Sequence, residues 1–227
     1  MLEILFEDNH LIIVNKKAGD LTQGDITKDK TLGDKIKDYL KKKYNKPGNV
    51  YLGITHRLDR PTTGAIIFTK TSKALTRLNE LFKKNEIKKT YWAIVKSINK
   101  KGPKKLENFL IKNQKQNKSY VTKNSNKKAK KAILYFKTIF ELQKYSLLKI
   151  KLETGRHHQI RTQLSNIGFP IKGDLKYGFP RPNNDGSIHL HSRKINFTHP
   201  VTKKNIEIIA KPPKNNIWDL CLNCEEK

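Results

Sequence analysis

Short runs of β-branched and aromatic residues recur along this chain, separated by segments whose apolar residues return at helical spacing. That alternation constrains the fold more than any other feature. Glu3 to Glu7 and Leu11 to Asn15 read as two short strands around the turn "DNH", followed by the loop "KKAGDLTQGD". From Thr31 the spacing of Leu32, Ile36, Tyr39 and Leu40 predicts a helix, stopped by Pro and Gly in "NKPGN". "VYLGI" and "AIIFTK" read as strands, then Ser72 as the N-cap of a helix carrying Leu75, Leu78, Leu81 and Phe82. The strand "KTYWAIVK" follows, with Tyr91 near its start. "AILYFKTIF" and "YSLLKIKLE" are two further strands, the second leading into a helix with Ile160, Leu164 and Ile167 on one face. "IHLHSRKINFTHP" and "NIEIIA" supply the last strands and "NIWDLCL" a short helix. Many strands with about four helices predict an α+β fold, with a mixed, mostly antiparallel central sheet flanked by helices and loops. One domain over residues 1–227 is expected. Residues 112–131, polar and strongly cationic, are expected to form a mobile insertion or a hairpin tip.

At 227 residues and 36% hydrophobic, the chain buries a sizeable core, which excludes a fully disordered protein. No apolar run approaches the ~18 residues of a membrane span, and acids stand in the N-terminus where a secretory signal has lysines, so a cytoplasmic protein is expected. The net charge is +28, from 48 Lys+Arg against 20 Asp+Glu, and it points to a polyanionic partner, with nucleic acid first. A bias towards Lys and Asn is the competing explanation of that charge. Only seven of the 48 cations are Arg, and Arg57, Arg60, Arg156 and Arg161 fall in two short motifs. A chain that otherwise uses Lys keeps Arg where a planar, multidentate donor is useful. Cys221 and Cys224 form a C-x-x-C with no second pair to complete a metal site, so no metal is expected.

"THRLDRPTTG", Thr55 to Gly64, puts Asp59 between Arg57 and Arg60 on a connection between two strands. Nearby positive charge favours the carboxylate, and an ionised Asp can serve as nucleophile, base or metal ligand, or simply belong to an ion-pair cluster. A metal is the least supported, because no second carboxylate or His-x-x-x-His accompanies it. A glycosidase pair is disfavoured, with only Glu153 and Asp174 as further acids in the motif-like segments. A lone nucleophilic Asp suits a reaction whose leaving group stays bound and is reattached.

The stretch resembles the H-R-L-D-R-x-T-S-G signature of the RluA-type pseudouridine synthases, with Thr63 at the Ser. "LETGRHHQIRTQLSNIGFPIKGDLKYG" is similar to that family's later motif, and "LHSRKINFTHP" and "KKTYWAIVK" to two further elements. "VNKKAG" departs from the family's N-K-P-x-G by placing Lys17 at the Pro, which is expected to loosen that loop. The resemblance runs from about residue 5 to 210, and it implies a chain without the separate N-terminal RNA-binding module that some relatives carry. It implies that Asp59 attacks the target nucleoside, by a covalent adduct or through a glycal. It further implies that Tyr91 removes the C5 proton, that Arg161 pairs with Asp59, and that Arg57 fills the space left by an everted uridine. Arg60, Thr63, Arg156, His158 and Gln159 are the remaining expected RNA contacts, His158 and Gln159 either holding their loop or touching the backbone. The substrate implied is ribosomal or transfer RNA, with no cofactor, because isomerisation breaks one bond and makes another within one substrate. No obligatory protein partner is implied. Two alternatives stand beside this. One is a non-catalytic RNA-binding or ribosome-associated protein that keeps the fold. The other is a ribonuclease built on His157 and His158, disfavoured because adjacent residues at a helix start are expected to point apart.

Overall fold

The computed structural model of the chain describes residues 2–24, 29–98, 104–124 and 126–222. In chain order its first elements are β1 (Ile4–Glu7), β2 (Leu11–Lys16), α1 (Leu32–Lys43), β3 (Gly53–Ile54), β4 (Thr63–Thr69) and α2 (Ser72–Lys83). Then come β5 (Lys88–Lys96), β6 (Lys104–Asn113), β7 (Lys118–Thr122), β8 (Lys130–Glu141) and β9 (Tyr145–Leu152). α3 (Gln159–Asn166), a 3-10 turn (Leu175–Tyr177), β10 (Leu190–Thr198), β11 (Asn205–Ile209) and α4 (Asn216–Leu222) complete the α+β set. The chain divides into two compact units, Met1–Lys88 with Ser192–Pro212, and Lys89–His191 with Pro213–Lys227.

In the first unit β1 and β2 form an antiparallel hairpin, whose turn is closed by Asp8 Oδ1 accepting from the His10 and Leu11 N–H groups at 2.8 and 2.7 Å. β2 pairs antiparallel with β4, all seven residues of which are buried, and β10 pairs antiparallel with β11. Leu11, Ile13, Ile67, Leu78, Ile195 and Phe197 share one core cluster. β3 is shorter than the expected strand over residues 50–54. Gly53 is already opposite Thr69, the last residue of β4, and the next N–H along, that of Lys70, goes to the His10 carbonyl. Tyr51 lies beyond this pairing and is 44% exposed.

α1 starts at a reciprocal cap: Thr31 Oγ1 accepts from the Asp34 N–H, and the Asp34 carboxylate accepts from the Thr31 N–H. It buries Leu32, Ile36 and Leu40 and ends in Lys41, Lys42 and Lys43, where cations suit the helix dipole. The cap of α2 is Thr71 rather than Ser72. Thr71 has the extended backbone a cap needs, and its Oγ1 accepts the Ala74 N–H at 3.2 Å. His199, in the "FTHP" element, closes the turn after β10 by accepting from the Val201 and Thr202 N–H groups at Nδ1, at 3.2 and 2.9 Å.

The second unit is an antiparallel sheet in the order β5-β9-β8-β6-β7. Residues 112–131 thus contain the end of β6, all of β7 and the start of β8. Trp92, Ile94 and Leu147 pack against Trp218 and Cys221 of α4. Cys221 is buried, and Cys224 lies outside the described residues. α3 covers the opposite face: its Gln163 donates to Asn108 Oδ1 at 2.8 Å, and register carries that face through Ala132, Phe136 and Ile150 to Tyr91. Ile160 and Leu164 of α3 are buried, whereas Ile167, expected on the same face, is the C-cap residue and 36% exposed. Among the described residues no helix is long and apolar enough to cross a membrane, and no group of three or more His, Cys, Asp or Glu residues is arranged to hold a metal ion.

Candidate active site

The Asp59 loop joins β3 to β4 and is fastened at four points, mostly through its main chain. At its start, Thr55 Oγ1 donates to the Ile67 carbonyl at 3.2 Å, and His56 Nε2 accepts the Ile67 N–H at 3.1 Å. An accepting Nε2 means a neutral ring with its proton on Nδ1. Thr22 Oγ1 bonds both the Leu58 carbonyl and the Leu58 N–H, at 3.2 and 3.4 Å. A tight turn follows, with the Thr62 N–H donating to the Asp59 carbonyl at 3.0 Å.

The fourth fastening is Lys16, at the end of β2 and 1% exposed. Its ammonium donates to the carbonyls of Lys17, Arg60 and Thr62 at 3.0, 3.0 and 2.7 Å, and the Gly19 N–H reaches the same Arg60 carbonyl at 2.9 Å. All three ammonium protons therefore hold backbone. Burial pushes the Lys16 ammonium down to about 8, opposed by the carboxylates of Asp20 and Asp59. The loop after β2, expected to be loosened by Lys17 at the family's Pro, is held by these bonds. Gly64, which ends the motif, has φ +114°, and a Cβ there would lie 2.8 Å from the Ser192 carbonyl carbon. Only Gly fits both constraints.

In the second unit Tyr91 sits near the start of β5, opposite Ile150, and is 5% exposed. Arg161, in the first turn of α3, is 4% exposed and forms a two-pronged pair with Asp174, Nε to Oδ2 at 2.7 Å and a terminal nitrogen to Oδ1 at 2.8 Å. Asp174 is 1% exposed, so the pair is fully enclosed. The Tyr177 ring lies 5.0 Å from the Arg161 guanidinium carbon. Its hydroxyl accepts the Ser119 N–H at 2.8 Å and shares a hydrogen bond with His158 Nδ1 at 2.9 Å, and burial pushes the phenol up.

The sequence-predicted residues separate by burial. Arg57, Arg60 and Arg156 are exposed and Asp59 is half-buried. Arg60 pairs with Asp29 at 3.0 Å, and Arg156 Nε donates to the Lys131 carbonyl at 2.9 Å. Thr63 is buried at the start of β4. Gln159 is 3% exposed and holds its loop: Oε1 accepts from Thr154 Oγ1 and the Arg156 N–H, and Nε2 donates to the Ile133 carbonyl. The expectation that His157 and His158 point apart is corrected. Their rings stack with centroids 3.8 Å apart, because His158 adopts a left-handed backbone, φ 52°, that turns its ring back over its neighbour. The ribonuclease geometry is still not met, since both nitrogens of His157 and Nδ1 of His158 are engaged by Ser119, Asn117 and Tyr177. Lys16, Asp174 and Tyr177 were missed as site residues. "GDLKYG" carried the last two in plain view, but nothing local in the sequence links them to Arg161.

The chain belongs to the RNA pseudouridylate synthase family, whose sequence profile matches residues 10–166, a span that includes Asp59, Tyr91 and Arg161. A ribosomal large subunit pseudouridine synthase C from Buchnera aphidicola subsp. Baizongia pistaciae is 33% identical over 214 residues, 91% of this chain and 66% of that protein. The chain thus spans just under two thirds of that relative's length. A tRNA pseudouridine synthase C from Haemophilus ducreyi is 30% identical, covering 98% of this chain and 95% of that one. The solved structure of human RNA Pseudouridylate Synthase Domain Containing 4 shares the fold, with a TM-score of 0.78 and 21% identity over 99% of this chain and 93% of that one.

Proposed function

We propose that the protein isomerises specific uridines in ribosomal or transfer RNA to pseudouridine, acting in the cytoplasm with its two units as one catalytic domain. The observation that carries this reading is the clamped turn carrying Asp59, half-buried between two exposed arginines on a segment that the family profile covers. A loop fixed through its main chain holds its side chains at constant position, which is what a nucleophile needs. Asp59 attacks the anomeric carbon of the target nucleoside as its C–N bond to the base breaks; the detached ring then turns, C5 bonds to that carbon and displaces the Asp59 carboxylate, and N1 takes up a proton. Tyr91 then removes the C5 proton, and no external redox or energy source enters the balance. Arg161, oriented by Asp174, keeps Asp59 ionised and aimed. The target must leave its helix, at about a few kcal/mol, and Arg57 fills the gap it leaves.

Mapping pseudouridine across total RNA from cells with and without the gene tests this. A small number of sites should disappear with the gene and return with the wild-type copy, but not with Asp59→Asn. An identical map in both strains overturns the reading.

A further inference from the structure

Along β6, β7 and β8, side chains alternate between the face that α3 covers and the opposite one. Register puts Tyr120, Tyr135, Lys105, Lys131, Lys137 and Lys151 together on the face away from α3. Tyr120 and Tyr135 are 39% and 41% exposed. Both rings are tethered at their hydroxyls, Tyr120 to Gln116 Oε1 at 2.5 Å and Tyr135 to Glu153 Oε2 at 3.2 Å, which limits their movement. The Lys118 ammonium lies 5.3 Å from the Tyr120 ring centroid. Across the strands Tyr135 stands between Lys105 and Lys151. Two acids stand among these lysines: Glu107, matched by Lys105 at 2.6 Å and Lys131 at 2.5 Å, and Glu153, which accepts from the Tyr135 hydroxyl. The face keeps a positive surplus.

We infer that this face is a second RNA-binding surface that takes a single-stranded segment, bases stacking on Tyr120 and Tyr135 and phosphates lying along the lysines. The occupant follows from the chemistry. Lysines alone would accept any polyanion, but two exposed, fixed aromatic planes among them match unpaired bases, whose ring faces a duplex would hide. Tyr120 is opposite Ile111 and Tyr135 opposite Lys105, six residues along β6, which with two strand spacings separates the rings by about 20 Å. An extended strand of a few nucleotides covers that distance. The surface rests on the reading that the protein acts on RNA, and it gives the enzyme a hold on sequence flanking the modified uridine.

The test is binding of a short labelled oligocytidine, which offers the Asp59 loop no uridine. The full-length variant Tyr120→Ala/Tyr135→Ala should bind it at least roughly tenfold more weakly than the wild type. Tyr120→Phe/Tyr135→Phe, which keeps the rings, and Asp59→Asn should both bind as the wild type does. Both tyrosines are on the surface, and circular dichroism checks that the alanine variant is folded. Unchanged affinity in the alanine variant overturns the inference. So does equal weakening towards a blunt RNA duplex, or a loss confined to an acidic peptide, which would make the surface a protein contact. Tritium release from uridine-containing RNA, followed in parallel, separates this from the activity. Oligocytidine binding that depends on the rings, without any tritium release, would leave the surface standing and remove the proposed reaction.

Discussion

The Asp59 loop is held through its main chain, whereas the segment around Arg161 is held through its side chains. In the first, one buried ammonium grips three carbonyls, so its hydrogen bonds go to main chain and to none of the side chains of Arg57, Asp59 and Arg60. In the second, Arg161, Asp174, Gln159, Tyr177 and His158 are both the structure and the surroundings of the site. The first arrangement frees the motif's side chains for chemistry. The second couples each of them to its neighbours, so the two regions should respond differently to substitution.

The largest effect should come from Gly64→Ala, which meets both a strained φ and the backbone of Ser192 and should cost about 4 kcal/mol in urea denaturation. Gly19→Ala has a similar φ, +88°, but nothing within 4 Å of the new Cβ, and should cost about 1 kcal/mol. Equal costs would mean that close backbone approach is not what Gly64 provides. Next is Asp174→Asn, which takes the two-pronged carboxylate from a buried guanidinium and should cost about 3 kcal/mol by the same measurement. A loss below about 1 kcal/mol would show that Arg161 does not depend on that carboxylate.

Lys16→Met probes the main-chain clamp, and its signature is a pH dependence. The folded value of about 8 lies below the ordinary 10.5, so between those limits the unfolded chain binds more protons. Stability from this group therefore rises with pH through that window and is lowest below pH 8, where the buried ammonium is charged. The wild type's advantage over Lys16→Met should widen by about 3 kcal/mol from pH 7.5 to 10.5. A constant difference would place the ammonium in water. Smallest is Tyr177→Phe, which removes one buried hydroxyl from the second network and should cost about 1 kcal/mol in thermal or urea unfolding. A zero effect would show that the Ser119 and His158 bonds add nothing.

What the sequence made legible follows the same division. Element types were readable because periodicity reports burial: Leu32, Ile36 and Leu40 face a core, and so does every residue of β4. The Asp59 motif was readable because its residues are contiguous. Lys16 was not, because a lysine at a strand end looks like every other lysine in so cationic a chain, and only the fold brings it to Arg60 and Thr62. Asp174 was passed over for a related reason: it is 13 residues from Arg161, and no helical or strand period joins the two. The stacking of His157 on His158 depends on one left-handed residue, and non-glycine residues give little local sign of that conformation.

The most direct test of the central claim is tritium release from RNA carrying 5-tritiated uridine, measured beside RNA binding with purified protein. The wild type should release tritium, and Asp59→Asn should release none while binding RNA with unchanged affinity. Release by Asp59→Asn at the wild-type rate would contradict the account, because the carboxylate at the centre of the clamped loop would then not be the group that reacts.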